Sequence, residues 1–135
     1  MQAPYHTIIP AMATREDGIL CASFGVMGGF MQPQGHTQVA IGMWDDGLDP
    51  QAVLDRPRIC LLGEYDLTAG EVAVEEGISI QTMGELVRRG HRIRPVRGFD
   101  RSVFGRGQVI VRDPESGVLI AGSDPRADGC AMPLT

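Results

Sequence analysis

The chain has 135 residues, 43% of them hydrophobic and 21% charged, which suits one globular domain with its own core and falls short of two. A chain of this size folds without disulfides or metals, and its 18 Gly and 9 Pro follow no period, excluding collagen-like and low-complexity readings. The net charge is −5 and all 12 basic residues are Arg, an acidic balance that argues against nucleic acid as a partner.

Residues 7–13 (TIIPAMA) and 19–24 (ILCASF) are short apolar runs joined by Asp17-Gly18, a tight-turn signal, and so predict a β-hairpin. Pro10 lacks an N–H, which makes the first strand an edge or a bulge. The second strand runs into Gly25-Val26-Met27-Gly28-Gly29, and a helix is expected over residues 32–46. Asp49 before Pro50 predicts a capped short helix ending before Pro57. Residues 58–62 and 71–75 read as strands. Ser79 caps a third helix through about Arg89, with Leu86 and Val87 on its inner face and Gly90 ending it.

The basic cluster Arg88, Arg89, Arg92, Arg94, Arg97 and Arg101 reads as a solvated face, and residues 98–107 as a mobile loop. Residues 107–112 and 118–123, separated by the turn Asp113-Pro114-Glu115-Ser116-Gly117, form a second hairpin. This order points to an α+β layered arrangement, one domain over residues 1–135, with both hairpins in one antiparallel sheet covered by helices.

Cys21, Cys60 and Cys130 are widely spaced with no CxxC, which makes them buried free thiols by default. His6, His36 and His91 lie far apart with no acidic residue at ligand spacing, so no metal site is expected. Neither a dinucleotide fingerprint nor a phosphate loop is present, and no cofactor is expected. The chain shows no signal segment and no apolar run long enough to span a bilayer; it reads as soluble, with its compartment undetermined.

The strongest local feature is Gly28-Gly29 between a strand and a helix. Such a pair lets backbone amides approach a ligand and favours an anion or developing oxyanion. His6-Thr7 sits on an expected strand, where neighbouring side chains point to opposite faces, so one of the two at most faces a pocket. In the tail, Asp124 and Asp128 are suited to accept backbone amides while Arg126 pairs with a carboxylate, locking the chain end onto the body.

Several of these segments together, Pro4-Tyr5-His6-Thr7-Ile8-Ile9-Pro10, Phe24 to His36, Asp46 to Ala52, Arg56-Pro57-Arg58 and Gly122 to Gly129, resemble the γ-glutamyltransferase (glutathione hydrolase) family in the same order. The resemblance implies an N-terminal-nucleophile hydrolase fold, a four-layer αββα sandwich, and an enzyme that cleaves γ-glutamyl amides such as glutathione through a threonine acyl-enzyme. It places this chain at the C-terminal part of the small subunit. The Thr-Thr-His self-cleavage segment is not in the sequence, so the chain alone is expected to be inactive.

The implied partners are the large subunit, the N-terminal part of the small subunit and a small-molecule γ-glutamyl donor. Gly28 and Gly29 then fall where the family's glycine pair donates to the oxyanion, and His6 and Thr7 where many members have two serines that hold the γ-glutamyl α-carboxylate. His6 differs in size and charge from serine, which opens two alternatives: an acylase of the same fold acting on another amide, or a non-catalytic binding or assembly subunit. Without its complementary strands the chain is expected to expose sheet edges and one apolar sheet face, and to self-associate.

Overall fold

The computed structural model describes residues 7–63 and 70–133. Strands β1 (Ala11–Thr14) and β2 (Leu20–Met27) pair antiparallel. Between them the Gly18 N–H donates to the Arg15 carbonyl, and the Arg15 N–H donates to the Ile19 carbonyl. Pro10 stands just outside β1, where its missing N–H removes nothing from the ladder. β2 continues through Gly25-Val26-Met27, so the expected five-residue loop contracts to Gly28-Gly29.

Helix α1 spans Met31–Trp44 and helix α2 spans Pro50–Asp55, the latter capped by the Asp49 carboxylate, which accepts from the Gln51 and Ala52 N–H groups. Helix α3 (Ile80–Arg88) is capped by the Ser79 hydroxyl accepting from the Thr82 N–H. Leu86 is half-buried on this helix, but Val87 is exposed, against its expected inward placement.

Strands β6 (Arg106–Arg112) and β7 (Leu119–Ser123) form the second hairpin. Its turn is held by Asp113, whose Oδ1 accepts from the Ser116 N–H at 2.7 Å and the Ser116 hydroxyl at 2.6 Å. Both hairpins join one antiparallel sheet in the order β1-β2-β6-β7.

The expected solvated face contains a strand. β3 (Ile59–Leu62), β4 (Glu71–Glu75) and β5 (Ile93–Val96) form a second sheet in that order, with β4 and β5 parallel. Pro95 is accommodated because β5 is an edge strand. The surrounding Arg side chains are largely exposed, and Arg88 and Arg89 both pair with Glu85. The expected mobile loop is also ordered: Gly98–Phe104 is a 3-10 helix that fully buries Phe104.

Two hydrophobic clusters result. Val26, Val39, Met43, Val53, Leu54 and Val109 pack α1 and α2 on the four-stranded sheet, while Met31, Cys60, Ala73, Val96 and Phe104 pack the start of α1 against the second sheet and the 3-10 turn. Helix α1 serves both clusters, its first turn in one and its second half in the other. The other face of the four-stranded sheet presents Met12, Ile110 and Leu119 to solvent, an exposed apolar face. Of the three thiols only Cys60 is buried; Cys21 is half-buried and Cys130 exposed.

Candidate active site

The Gly28-Gly29 pair joins the end of β2 to the start of α1. Gly28 has φ +139° and Gly29 φ +60°, in the positive region that side chains disfavour. Their carbonyls are occupied, since the Met31 N–H donates to Gly28 O and the Gln32 N–H to Gly29 O, both at 3.1 Å. Their amides are not: no described residue accepts from either. Gly28 is half-buried and Gly29 exposed, at the N-terminus of a 14-residue helix whose first turn carries no acid. Free amides at the positive end of a helix suit an anionic oxygen.

Gly105, which the sequence reading passed over, supports this loop. A Cβ on Gly28 would lie 3.1 Å from the Gly105 Cα, and a Cβ on Gly105 (φ +70°) would lie 2.2 Å from the Met27 carbonyl oxygen. Backbone therefore packs directly on backbone behind the loop.

Thr7 is exposed, and its carbonyl accepts from Gln32 Nε2 at 2.5 Å, so the structure links the Thr7 segment to the helix that begins at the glycine loop. His6 lies outside the described residues. His36 is half-buried with both ring nitrogens on backbone oxygens, Nδ1 2.5 Å from Gln32 O and Nε2 2.7 Å from Ile9 O. His91 is exposed; its N–H reaches the Leu86 carbonyl. Burial pushes the Cys60 thiol up, with the Gln34 amide opposing, which keeps it protonated and unreactive. Among the described residues no group of three His, Cys, Asp or Glu is placed to hold a metal, and no helix is long and apolar enough to cross a membrane.

Behind the loop lies a buried ion network. The Glu75 carboxylate accepts from Arg126 Nε at 2.7 Å, Arg101 Nε at 2.6 Å and the Arg58 N–H at 2.8 Å. Asp124 accepts from the Gly107 N–H at 2.6 Å and the Arg126 N–H at 2.9 Å, and pairs with Arg58 Nη1 at 2.9 Å. Burial raises both carboxyls, but for Glu75 the bonds from Arg126 and Arg101, and for Asp124 the Arg58 charge and backbone amides, more than offset it; both stand below the ordinary range. Burial likewise lowers Arg126, and its pairing with Glu75 and Asp124 outweighs that and holds it above its usual value.

Arg58 is lowered by burial and then by the neighbouring Arg126 charge. The expected lock of the chain end is thus present through Asp124 and Arg126, whereas Asp128 is exposed and accepts no amide among the described residues. Because Gly107 lies two residues beyond Gly105, the network also anchors the strand behind the glycine loop.

The family model described as gamma-glutamyltranspeptidase matches residues 1–134. Over 132 residues the chain is 33% identical to the glutathione hydrolase-like YwrD proenzyme of Bacillus subtilis, covering 95% of this chain and 24% of that protein. Over 128 residues it is 30% identical to the oxamate amidohydrolase proenzyme of Klebsiella pneumoniae, again covering 95% and 24%. The chain therefore spans about a quarter of the length of these curated relatives.

Among solved structures, a cephalosporin acylase from Bacillus halodurans superposes with a TM-score of 0.82 at 50% identity, covering 93% of this chain and 22% of that one. A gamma-glutamyltranspeptidase from Pseudomonas nitroreducens superposes with a TM-score of 0.78 at 20% identity, covering 99% and 65%, a likeness of fold alone. The α+β fold is thus that of the N-terminal-nucleophile hydrolases.

Proposed function

The chain belongs to the gamma-glutamyltranspeptidase family, and from that premise we propose that it supplies the oxyanion amides and part of the acyl pocket to an enzyme cleaving γ-glutamyl amides. The carrying observation is the Gly28-Gly29 loop, two amides without a described acceptor at the start of α1. In this scheme a threonine hydroxyl from the complementary part of the enzyme attacks the γ-carbonyl, and its own α-amino group takes the proton. The carbonyl oxygen becomes an oxyanion and receives the Gly28 and Gly29 N–H groups. Collapse breaks the C–N bond, the leaving amine takes the proton, and water or an amino acid then releases the acyl group from the threonine. In this reading Thr7 meets the substrate α-carboxylate, a role that His6 shares by its place in the sequence alone.

A second reading, an acylase acting on another amide by the same steps, is favoured by one observation: identity is 50% to the cephalosporin acylase and 20% to the transpeptidase. The complete gene product decides between them with a γ-glutamyl p-nitroanilide and its α-carboxamide. A γ-glutamyl enzyme cleaves the first and loses activity on the second. Equal cleavage of both supports the acylase, and cleavage of neither, with no self-processing before a threonine, overturns both and leaves a binding or assembly role.

A further inference from the structure

The segment before β1 is held in an unusual way. Thr7, Ile8, Ile9 and Pro10 are all exposed, so apolar burial does not fix them, and the sheet begins only at Ala11. Two side chains of α1 take its backbone instead. Gln32, only 6% exposed, accepts from the Ile9 N–H at 2.9 Å through Oε1 and donates to the Thr7 carbonyl at 2.5 Å through Nε2. These groups flank Ile8 as the two that a parallel neighbour strand would engage.

One turn later His36 sets Nε2 at 2.7 Å from the Ile9 carbonyl, with Nδ1 on the Gln32 carbonyl at 2.5 Å. The ring stands 5.7 Å from that of Phe24, centroid to centroid. A Cβ at Gly25 would come 3.7 Å from Nε2. Gln32 alone leaves the segment free to pivot about one carboxamide; His36 adds another point of attachment.

The same residue is tied to the glycine loop from the other side, since the Gln32 N–H donates to the Gly29 carbonyl. We propose that Gln32 and His36 are positioning residues, fixing the Thr7–Ile9 segment relative to the Gly28 and Gly29 amides so that an acyl group and its reacting carbonyl are held by one rigid piece. This rests on the reading of the glycine pair as oxyanion donors.

The test uses the complete gene product and the variants Gln32→Leu, His36→Leu and His36→Gln, the last keeping an N–H donor towards Ile9. In Gln32→Leu the Ile9 amide, whose N–H Gln32 accepts, should exchange with deuterium at least about tenfold faster, while the amides of β2 and β6 keep their protection. KM for the γ-glutamyl anilide should rise about tenfold with kcat changed less than about threefold, and His36→Leu should move the same way with recovery in His36→Gln. Unchanged exchange at the Ile9 amide overturns the proposal. So does a fall in activity accompanied by lost protection in β2, which marks a purely structural role. If the parent enzyme spares the anilide, the γ-glutamyl reading fails by itself. The exchange measurement, with KM on the amide that is cleaved, then decides the positioning role separately.

Discussion

Gln38, a helical residue, pairs with Ile59 as a strand neighbour would: the Ile59 N–H donates to Gln38 Oε1 at 2.9 Å and Gln38 Nε2 donates to the Ile59 carbonyl at 2.9 Å. Gln34 does the same for Leu61, and Gln51 of α2 for Ser123 at the edge strand β7. Edge strands otherwise offer unpaired groups to other chains. The edge of β3 is thus engaged at Ile59 and Leu61 and that of β7 at its last residue, Ser123, while the apolar sheet face stays exposed.

Replacing Gln38 by Leu leaves the Ile59 N–H and carbonyl without this partner. A loss of about 1–3 kcal/mol is expected, read from the urea midpoint, together with greater concentration-dependent association in light scattering. Unchanged values for both would show that the glutamine does not protect this edge.

Gly28→Ala should lower the acylation rate roughly 10²-fold or more, because the methyl would meet the Gly105 Cα at 3.1 Å and the Met31 Cβ at 3.3 Å and the φ of +139° is closed to alanine. Gly29→Ala meets open space at φ +60°, so it costs only about 1–2 kcal/mol of backbone strain and a smaller loss of rate. Single-turnover kinetics with the anilide separates the two. Full turnover in a folded Gly28→Ala removes the oxyanion assignment.

Gly105→Ala places a methyl 2.2 Å from the Met27 carbonyl and 2.8 Å from Val26 Cγ1, forcing the loop and β6 apart. A destabilisation of at least about 2 kcal/mol is expected, with kcat falling more than KM rises. Thermal unfolding and steady-state kinetics check this, and a variant matching the parent in both would mean that the loop does not depend on this contact.

The acid limb of stability follows from Glu75 and Asp124. Both carboxyls are held below their unfolded values, so their contribution is complete above the unfolded carboxylate range of about pH 4 and is lost as pH falls through the folded values. The unfolding midpoint should be flat near neutrality and drop below about pH 4. Arg126→Met removes the partner shared by both buried carboxylates. It should cost about 3–5 kcal/mol and move the drop to higher pH. A parent curve that stays level through the acid range would contradict the assignment.

What the sequence by itself determined is local. Asp17-Gly18, the turn at 113–117, the caps Asp49 and Ser79 and the stop at Gly90 each act through bonds to residues a few positions away, and the family signature with its Gly28-Gly29 pair is likewise contiguous. Strand β5 stayed hidden because Ile93-Arg94-Pro95-Val96 has neither a clean apolar alternation nor a full set of donors, and becomes a strand only by lying parallel to β4.

Gly105 behind Gly28, and Arg126 on Glu75 fifty-one residues away, depend on distant partners that no local pattern names. In Met31-Gln32-Pro33-Gln34-Gly35-His36-Thr37-Gln38 the polar residues alternate, as in a strand. At about 100° per residue in a helix, those two apart point to nearly opposite sides. Gln32 and His36 therefore hold the Thr7–Ile9 segment while Gln34 and Gln38 hold β3. Only the placement of α1 between those two lengths of backbone decides what each side chain grips.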